Sequence, residues 1–219
     1  MAGESLEAVD VSWAGLAGDR RWAFVRPGMT HSGFPWLTIR ERPEMWHFRP
    51  TFTEPDRPEH SPTVVHTPSG ETFDVADPAL AAELGAGVGV IRHDGGVFDT
   101  MPLALLSTQT VAALGAAVGS VLDPRRFRPN VLIEAVGDAP FAEDAWVGAV
   151  LTIGELQMRV DQRDKRCAMV NVDPATTERD SSVLRAIAQE RQACLGVYGS
   201  IVQPGRVAVG DAVSVLAGA

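Results

Sequence analysis

Two cysteines, Cys167 and Cys194, are too few to build a four-thiolate zinc or iron–sulfur site. No apolar run approaches the roughly 20 residues that a membrane helix needs, and no secretory hydrophobic region follows Met1. The expectation from these absences is a cytoplasmic protein with no membrane partner, reduced thiols and no Cys167–Cys194 disulfide. Basic residues are scarce as well: 19 Lys and Arg stand against 28 Asp and Glu, a formal charge of −9. Nonspecific nucleic-acid binding depends on neutralising phosphates, so no nucleic-acid partner is expected. The five histidines show no metal-binding spacing, and His47 and His66 read as structural or surface residues. There is no Gly-x-Ser-x-Gly elbow and no Gly-Lys phosphate loop, and Gly85, Gly87 and Gly89 lack the strand and helix that would flank a nucleotide loop.

What is present is a normal globular mixture, 45% hydrophobic and 21% charged over 219 residues, enough for one large domain or two small ones. Strands are predicted at residues 21–25 and 37–40, and a hairpin at 63–67 and 71–75 around Pro68-Ser69-Gly70. Asp77-Pro78 opens a short helix that Gly85 stops. Residues 84–96 are glycine-rich without a period and read as a link between two halves. Residues 102–106 lead into a helix capped by Ser107 or Thr108, with Val111 and Leu114 on one face. Further strands are predicted at 130–135, 167–172, 197–202 and 213–216, with Val207 and Val209 in another. A period-2 hairpin is read at 151–153 and 156–160, and a helix from Asp180 or Ser181 to Gln192. Many short strands with few helices imply a mainly β chain with peripheral helices, an α+β arrangement around a β-barrel-like core.

The chemistry concentrates at Arg163-Asp164-Lys165-Arg166-Cys167, where cations precede a thiol. Positive neighbours favour a thiolate, which is both a nucleophile and a soft metal ligand. A plain buried cysteine is the competing reading. Arg125, Arg126 and Arg128 form a second basic group, and local basic groups on an acidic protein suit a small anionic ligand. In Arg128-Pro129-Asn130 the proline discourages helix at Arg128, leaving a guanidinium fork and an amide at the lip of a strand. Glu143 and Asp144, before a glycine and a strand, read as exposed turn carboxylates, and Cys194 reads as structural.

Several separated motifs, in order, resemble the MOSC domain, named for the C-terminal part of molybdenum cofactor sulfurase. They are Arg126-Phe127-Arg128-Pro129-Asn130, Phe141-Ala142-Glu143-Asp144-Ala145-Trp146, Leu151-Thr152-Ile153-Gly154, Lys165-Arg166-Cys167, Val172-Asp173-Pro174 and Pro204-Gly205-Arg206-Val207-Ala208-Val209-Gly210-Asp211. Gly15-Leu16-Ala17-Gly18-Asp19-Arg20-Arg21-Trp22 and Thr38-Ile39-Arg40 resemble the β-barrel domain that precedes MOSC in many members. The resemblance implies a MOSC N-terminal barrel-like domain at 1–85 and a MOSC domain at 97–219. Relatives usually begin with a strand and a Tyr-Pro-Val-Lys-Ser motif. This chain starts at Met1-Ala2-Gly3-Glu4-Ser5-Leu6, so the barrel's first strand and its Lys-Ser contacts are expected to be missing, leaving an edge unpaired.

In the amidoxime-reducing branch, the resemblance implies a molybdenum cofactor (molybdopterin) whose metal is bound by one cysteine, here Cys167, the catalytic position. Arg20, Ser107, Thr108, Arg128, Asn130, Lys165, Arg166 and Tyr198 match cofactor-contacting positions. The implied activity is a molybdenum-dependent oxidoreductase that reduces small N-oxygenated substrates. The chain shows no flavin or ferredoxin signature, so a separate reductase would supply electrons. The alternative is a sulfur-carrier or cofactor-binding module without its own redox reaction, with Cys167 carrying a persulfide loaded by a sulfurase.

Overall fold

The computed structural model describes residues 1–29 and 31–216. In chain order the strands begin β1 (Ala8–Ser12), β2 (Gly15–Leu16), β3 (Trp22–Val25), β4 (Arg49–Phe52), β5 (Thr63–His66), β6 (Thr72–Asp74) and β7 (Gly89–Arg92). They continue with β8 (Leu103–Ser107), β9 (Val131–Ile133), β10 (Val150–Ile153), β11 (Leu156–Lys165), β12 (Cys194–Gln203), β13 (Gly205–Ala208) and β14 (Val213–Leu216). Three α-helices accompany them among the described residues: α1 (Pro78–Leu84), α2 (Thr108–Val118) and α3 (Ser181–Arg191). The chain is thus mainly β with few helices.

The residues group into two compact units. The first comprises Met1–Glu4, Gly18–Val97 and Pro174–Glu178; the second comprises Ser5–Ala17, Phe98–Asp173 and Arg179–Ala219. In the first unit β3 pairs with β7, and β4, β5 and β6 form an antiparallel sheet. The glycine-rich segment read as a link therefore contains a strand, because Gly89–Arg92 completes a ladder with β3. Residues 37–40 are not a strand: only Trp36 bridges to Val25, and Ile39 is buried in a turn. Asp77 caps α1 through a 2.8 Å bond from the Ala79 N–H, with Pro78 at the first helical position.

The second unit carries a six-stranded sheet in the order β14-β10-β11-β12-β8-β9 and a small sheet β13-β1-β2. All pairs in the large sheet are antiparallel except β8 with β9. Strict alternation along β11 buries Leu156, Met158 and Val160 completely, as the period-2 pattern requires. They pack with Leu103, Leu105, Leu151 and Val197. On the other side of the sheet, Leu106 and Leu195 pack against Val111 and Leu114 of α2 and Val183 and Ile187 of α3. Residues 103–107 are a wholly buried strand, not merely a lead into α2. Residues 5–17 group with this unit because β1 pairs with β13.

Leu195 and Val197 face different clusters although simple alternation would put them on one side. A register shift between Arg163 and Lys165 explains this: Arg163 pairs with Val197 but Lys165 pairs with Cys194. The extra residue is accommodated at Gly196, whose φ of 74° a side chain would resist. A Cβ there would also sit 2.6 Å from the Leu105 carbonyl oxygen.

The strand predicted at 167–172 is absent. β11 ends at Lys165, and residues Ala168–Asn171 form a single 3-10 turn with Cys167 at its amino-terminal cap. Polar partners outside any sheet hold this segment: Arg126 takes the Val170 carbonyl, and the Asn171 side chain accepts from the Leu184 N–H. β9 is shorter than the predicted 130–135 because side chains take over at both ends. The Asn130 Oδ1 accepts from the Ala104 N–H, and the Gln109 amide pairs with both backbone groups of Ala135.

Candidate cofactor site

Cys167 is half-buried, with an extended backbone (φ −118°, ψ 179°), and its thiol neither caps the turn it opens nor joins a disulfide. Two buried arginines hold this turn in a reciprocal clasp. Arg126, on the helical turn Pro124–Phe127, donates to the Val170 carbonyl (3.1 Å) and to Asp173 Oδ2 (2.8 Å). Arg166, the residue before Cys167, reaches back to the Phe127 carbonyl (2.8 Å). Its Nε donates to the Leu195 carbonyl (2.8 Å), and its Nη2 lies 2.8 Å from Asp164 Oδ2. The Arg166 side chain is only 7% exposed and Asp164 only 1%, so this ion pair is shut off from water.

Burial pushes the Arg166 pKa below the usual arginine range, while Asp164, Tyr198, Cys167 and Cys194 act in the opposite direction. An arginine remains charged at neutral pH even so. The positive neighbours seen in the sequence are therefore unequal. Arg166 is a buried fork committed to protein groups, whereas Lys165 is exposed and stands opposite Cys194 across the ladder.

Arg128 adopts a left-handed conformation (φ 52°, ψ 44°) as it closes the turn Pro124–Phe127. For a residue with a side chain this costs roughly 1–2 kcal/mol, so the surrounding structure imposes it. Pro129 discourages helix at Arg128, in keeping with the sequence reading, but the outcome is left-handed rather than extended. Two residues on, the Asn130 N–H donates to the Ala104 carbonyl (2.8 Å) while its side-chain oxygen accepts from the Ala104 N–H (3.0 Å). Ala104 pairs with Tyr198, and Tyr198 with Gln162. Directly opposed residues share a face, so Gln162, Tyr198, Ala104 and Asn130 form one row across the sheet. The fold thus gathers Arg128, Asn130, Arg166, Cys167 and Tyr198 within the second unit.

The other candidates are placed differently. Ser107 is fully buried. Its Oγ accepts from the Thr110 N–H (3.1 Å), capping α2, and lies 3.0 Å from Glu143 Oε2. Thr108 is exposed and bonds to Gln109; it also lines an apolar groove of about 590 Å³ along α2, with Val111, Gly115, Val121 and Pro124. Arg20 belongs to the first unit, with φ 51° and an ion pair to Asp19 at 3.0 Å.

Two residues read from sequence as exposed turn carboxylates are neither exposed nor idle. Glu143 is completely buried and accepts from the Ser107 N–H (3.3 Å) as well as its hydroxyl. Asp144 is ion-paired with Arg163 (3.1 Å) and with Arg191, fastening this segment to β11 and to the end of α3. Their neighbours along the chain gave no hint of this, since the partners lie 36 and 47 positions away for Ser107 and Arg191.

Among the described residues, no group of three or more His, Cys, Asp or Glu could hold a metal ion. A metal at Cys167 would thus take at most two such side chains from the described residues and the rest of its ligands from elsewhere. That donor set fits a cofactor that brings its own sulfur ligands, because soft metals favour thiolates.

The second unit thus presents the half-buried thiol of Cys167 beside a buried arginine clasp on a mainly β fold. Residues 92–214 match the family described as "MOSC domain", and the chain belongs to that family. It is 30% identical over 131 residues to human "Mitochondrial amidoxime-reducing component 1", covering 54% of this chain and 38% of that protein. It is 37% identical over 94 residues to "Molybdenum cofactor sulfurase" of Caenorhabditis briggsae, covering 40% of this chain and 13% of that protein. The chain thus spans well under half the length of these curated relatives. Among solved structures, the YuaD protein of Bacillus subtilis aligns over 96% of this chain and 85% of its own, at 10% identity and a TM-score of 0.48. No described helix is long and apolar enough to cross a membrane.

Proposed function

We propose that this chain binds a molybdenum–pterin cofactor through Cys167 and reduces N-oxygenated compounds with electrons from a separate reductase. The observation that carries the reading is the half-buried thiol just beyond β11, on a segment held by Arg126 and Arg166, where no group of three or more protein ligands gathers among the described residues. The 30% identity to an amidoxime-reducing component supports the choice of substrate class.

When bound, the molybdenum would supply the two-electron chemistry. The chain's own contribution is positional. Cys167 would ligate the metal. Arg126 and Arg166 fix the segment on either side of the thiol, so the ligand need not be ordered again on binding. Arg128, Asn130 and Tyr198 would contact the pterin or its phosphate, the arginine by its two-pronged fork and the tyrosine by its hydroxyl. Lys165 would add positive charge, while Thr108 would offer a hydroxyl at a helix start.

The test is reduction of an aromatic amidoxime to the amidine by the metal-loaded protein, with reduced methyl viologen as electron source. Activity in the wild type and its loss in Cys167→Ser is the expected result; equal turnover by both proteins would overturn it. The identity to cofactor sulfurases favours a second reading, a sulfur carrier with a persulfide on Cys167. Mass spectrometry after incubation with a cysteine desulfurase and cysteine tests that reading; no added sulfur on Cys167 would eliminate it.

A further inference from the structure

We propose that Cys167 and Cys194 form a peroxide-responsive dithiol, which closes to an intramolecular disulfide when Cys167 carries no other ligand. Both cysteines are free thiols and half-buried, so each is within reach of solvent. Lys165 stands opposite Cys194 in the β11–β12 ladder, and the Arg166 N–H donates to the Ala193 carbonyl at 2.8 Å. Cys167 and Cys194 thus flank the bonded pair Arg166 and Ala193, and the ladder stops at the left-handed turn of Ala193 (φ 62°) and Gln192 (φ 57°). The Cys194 thiol turns back toward this turn, with its sulfur 3.6 Å from the Gln192 carbonyl oxygen.

The two cysteines are therefore diagonal neighbours, and such side chains lie about 7–8 Å apart. A relaxed disulfide needs Cα atoms at about 4.4–6.8 Å. Closure thus requires a small movement of Cys167, which lies beyond the last residue of β11 and opens a single helical turn. Arg166 is the common neighbour of both sulfurs.

The chemistry balances with a hydroperoxide as oxidant. The Cys167 thiolate attacks one oxygen of hydrogen peroxide, the O–O bond breaks, and sulfenic acid and hydroxide result. The Cys194 sulfur then attacks the Cys167 sulfur; the S–OH bond breaks, and the hydroxyl leaves as water with the Cys194 proton. The pair loses two electrons and the peroxide gains them. A sulfur in the disulfide cannot ligate a metal, so oxidation would exclude cofactor from the proposed site.

The experiment uses the metal-free full chain, so its result does not depend on the reading of Cys167 as a molybdenum ligand. The native protein is treated with equimolar hydrogen peroxide, quenched with an alkylating agent, digested without reductant and mapped by mass spectrometry. The expected product is a Cys167–Cys194 linked peptide pair, two hydrogens lighter than the reduced peptides, in a protein that stays monomeric on a non-reducing gel. In Cys194→Ser the same treatment should leave a Cys167 sulfenic acid that dimedone traps. Overoxidised Cys167 beside a still-alkylatable Cys194 in the wild type would overturn the proposal. So would a linkage that forms only between chains, or only after denaturation in urea.

Discussion

Replacing Arg126 by alanine should both destabilise the second unit and loosen the segment that carries Cys167. The side chain is 6% exposed and makes two contacts, with the Val170 carbonyl at 3.1 Å and Asp173 at 2.8 Å. A buried hydrogen bond from a charged donor is worth about 1.5–3 kcal/mol. Asp173 keeps 31% of its side chain in water, so its pairing is credited with only about 1 kcal/mol. Together these put the loss near 3 kcal/mol, a large share of the roughly 5–15 kcal/mol that holds a typical domain. Arg126→Lys keeps the charge but cannot span both acceptors, and should lose about half as much. Urea unfolding measures the stability, and the rate of iodoacetamide labelling, resolved by peptide mapping, reports on the thiol. Cys167 should react faster in Arg126→Ala while Cys194, held in β12, changes little. An Arg126→Ala protein within about 0.5 kcal/mol of wild type, with unchanged Cys167 labelling, would refute the clasp.

Three further predictions follow from the same structure. Gly196→Ala must hold a left-handed φ and place a methyl 2.6 Å from the Leu105 carbonyl oxygen, so it should lose at least about 2 kcal/mol in denaturant titration; an unchanged midpoint would contradict the bulge. Glu143→Ala strips the buried Ser107 N–H and hydroxyl of their acceptor and should cost about 2–3 kcal/mol, with Glu143→Gln recovering part of it. Asp180, the cap of α3, has its pKa held below 3.8 by hydrogen bonds from the Ser182 hydroxyl and N–H. A depressed carboxylate pKa contributes stability that is full above the unfolded value and fades as pH falls through the folded one. Asp180→Asn retains a capping oxygen without the titration. The wild type's advantage over Asp180→Asn should therefore shrink below about pH 4, as read by melting temperature against pH; a constant difference would remove Asp180 from the acid response.

Local pattern made part of this protein readable from its sequence. The alternation of Leu156, Met158 and Val160, and the Asp-Pro and Asp-Ser starts of α1 and α3, depend on neighbours a few positions away. The strand Ala8–Ser12 escaped because its partner is Gly205–Ala208, at the far end of the chain. Apolar character in Cys167-Ala168-Met169-Val170 suggested a strand, yet Arg126 and Asn171 supply the polar partners that make a helical turn stable there. Glu143 looked like a turn carboxylate because nothing near it in sequence announces Ser107 as its partner. At the candidate site, the sequence marked Arg166 as one of three cations beside a thiol. Only the folded arrangement shows that its fork grips Phe127 and Leu195 while Lys165 stays in solvent.

Molybdenum content tests the central assignment most directly. The protein should be produced in cells making the cofactor, purified, and assayed by elemental analysis beside Cys167→Ser and Cys194→Ser. The account predicts metal in the wild type and in Cys194→Ser, and its loss in Cys167→Ser with the fold intact by circular dichroism. Equal molybdenum in the wild type and Cys167→Ser would contradict it.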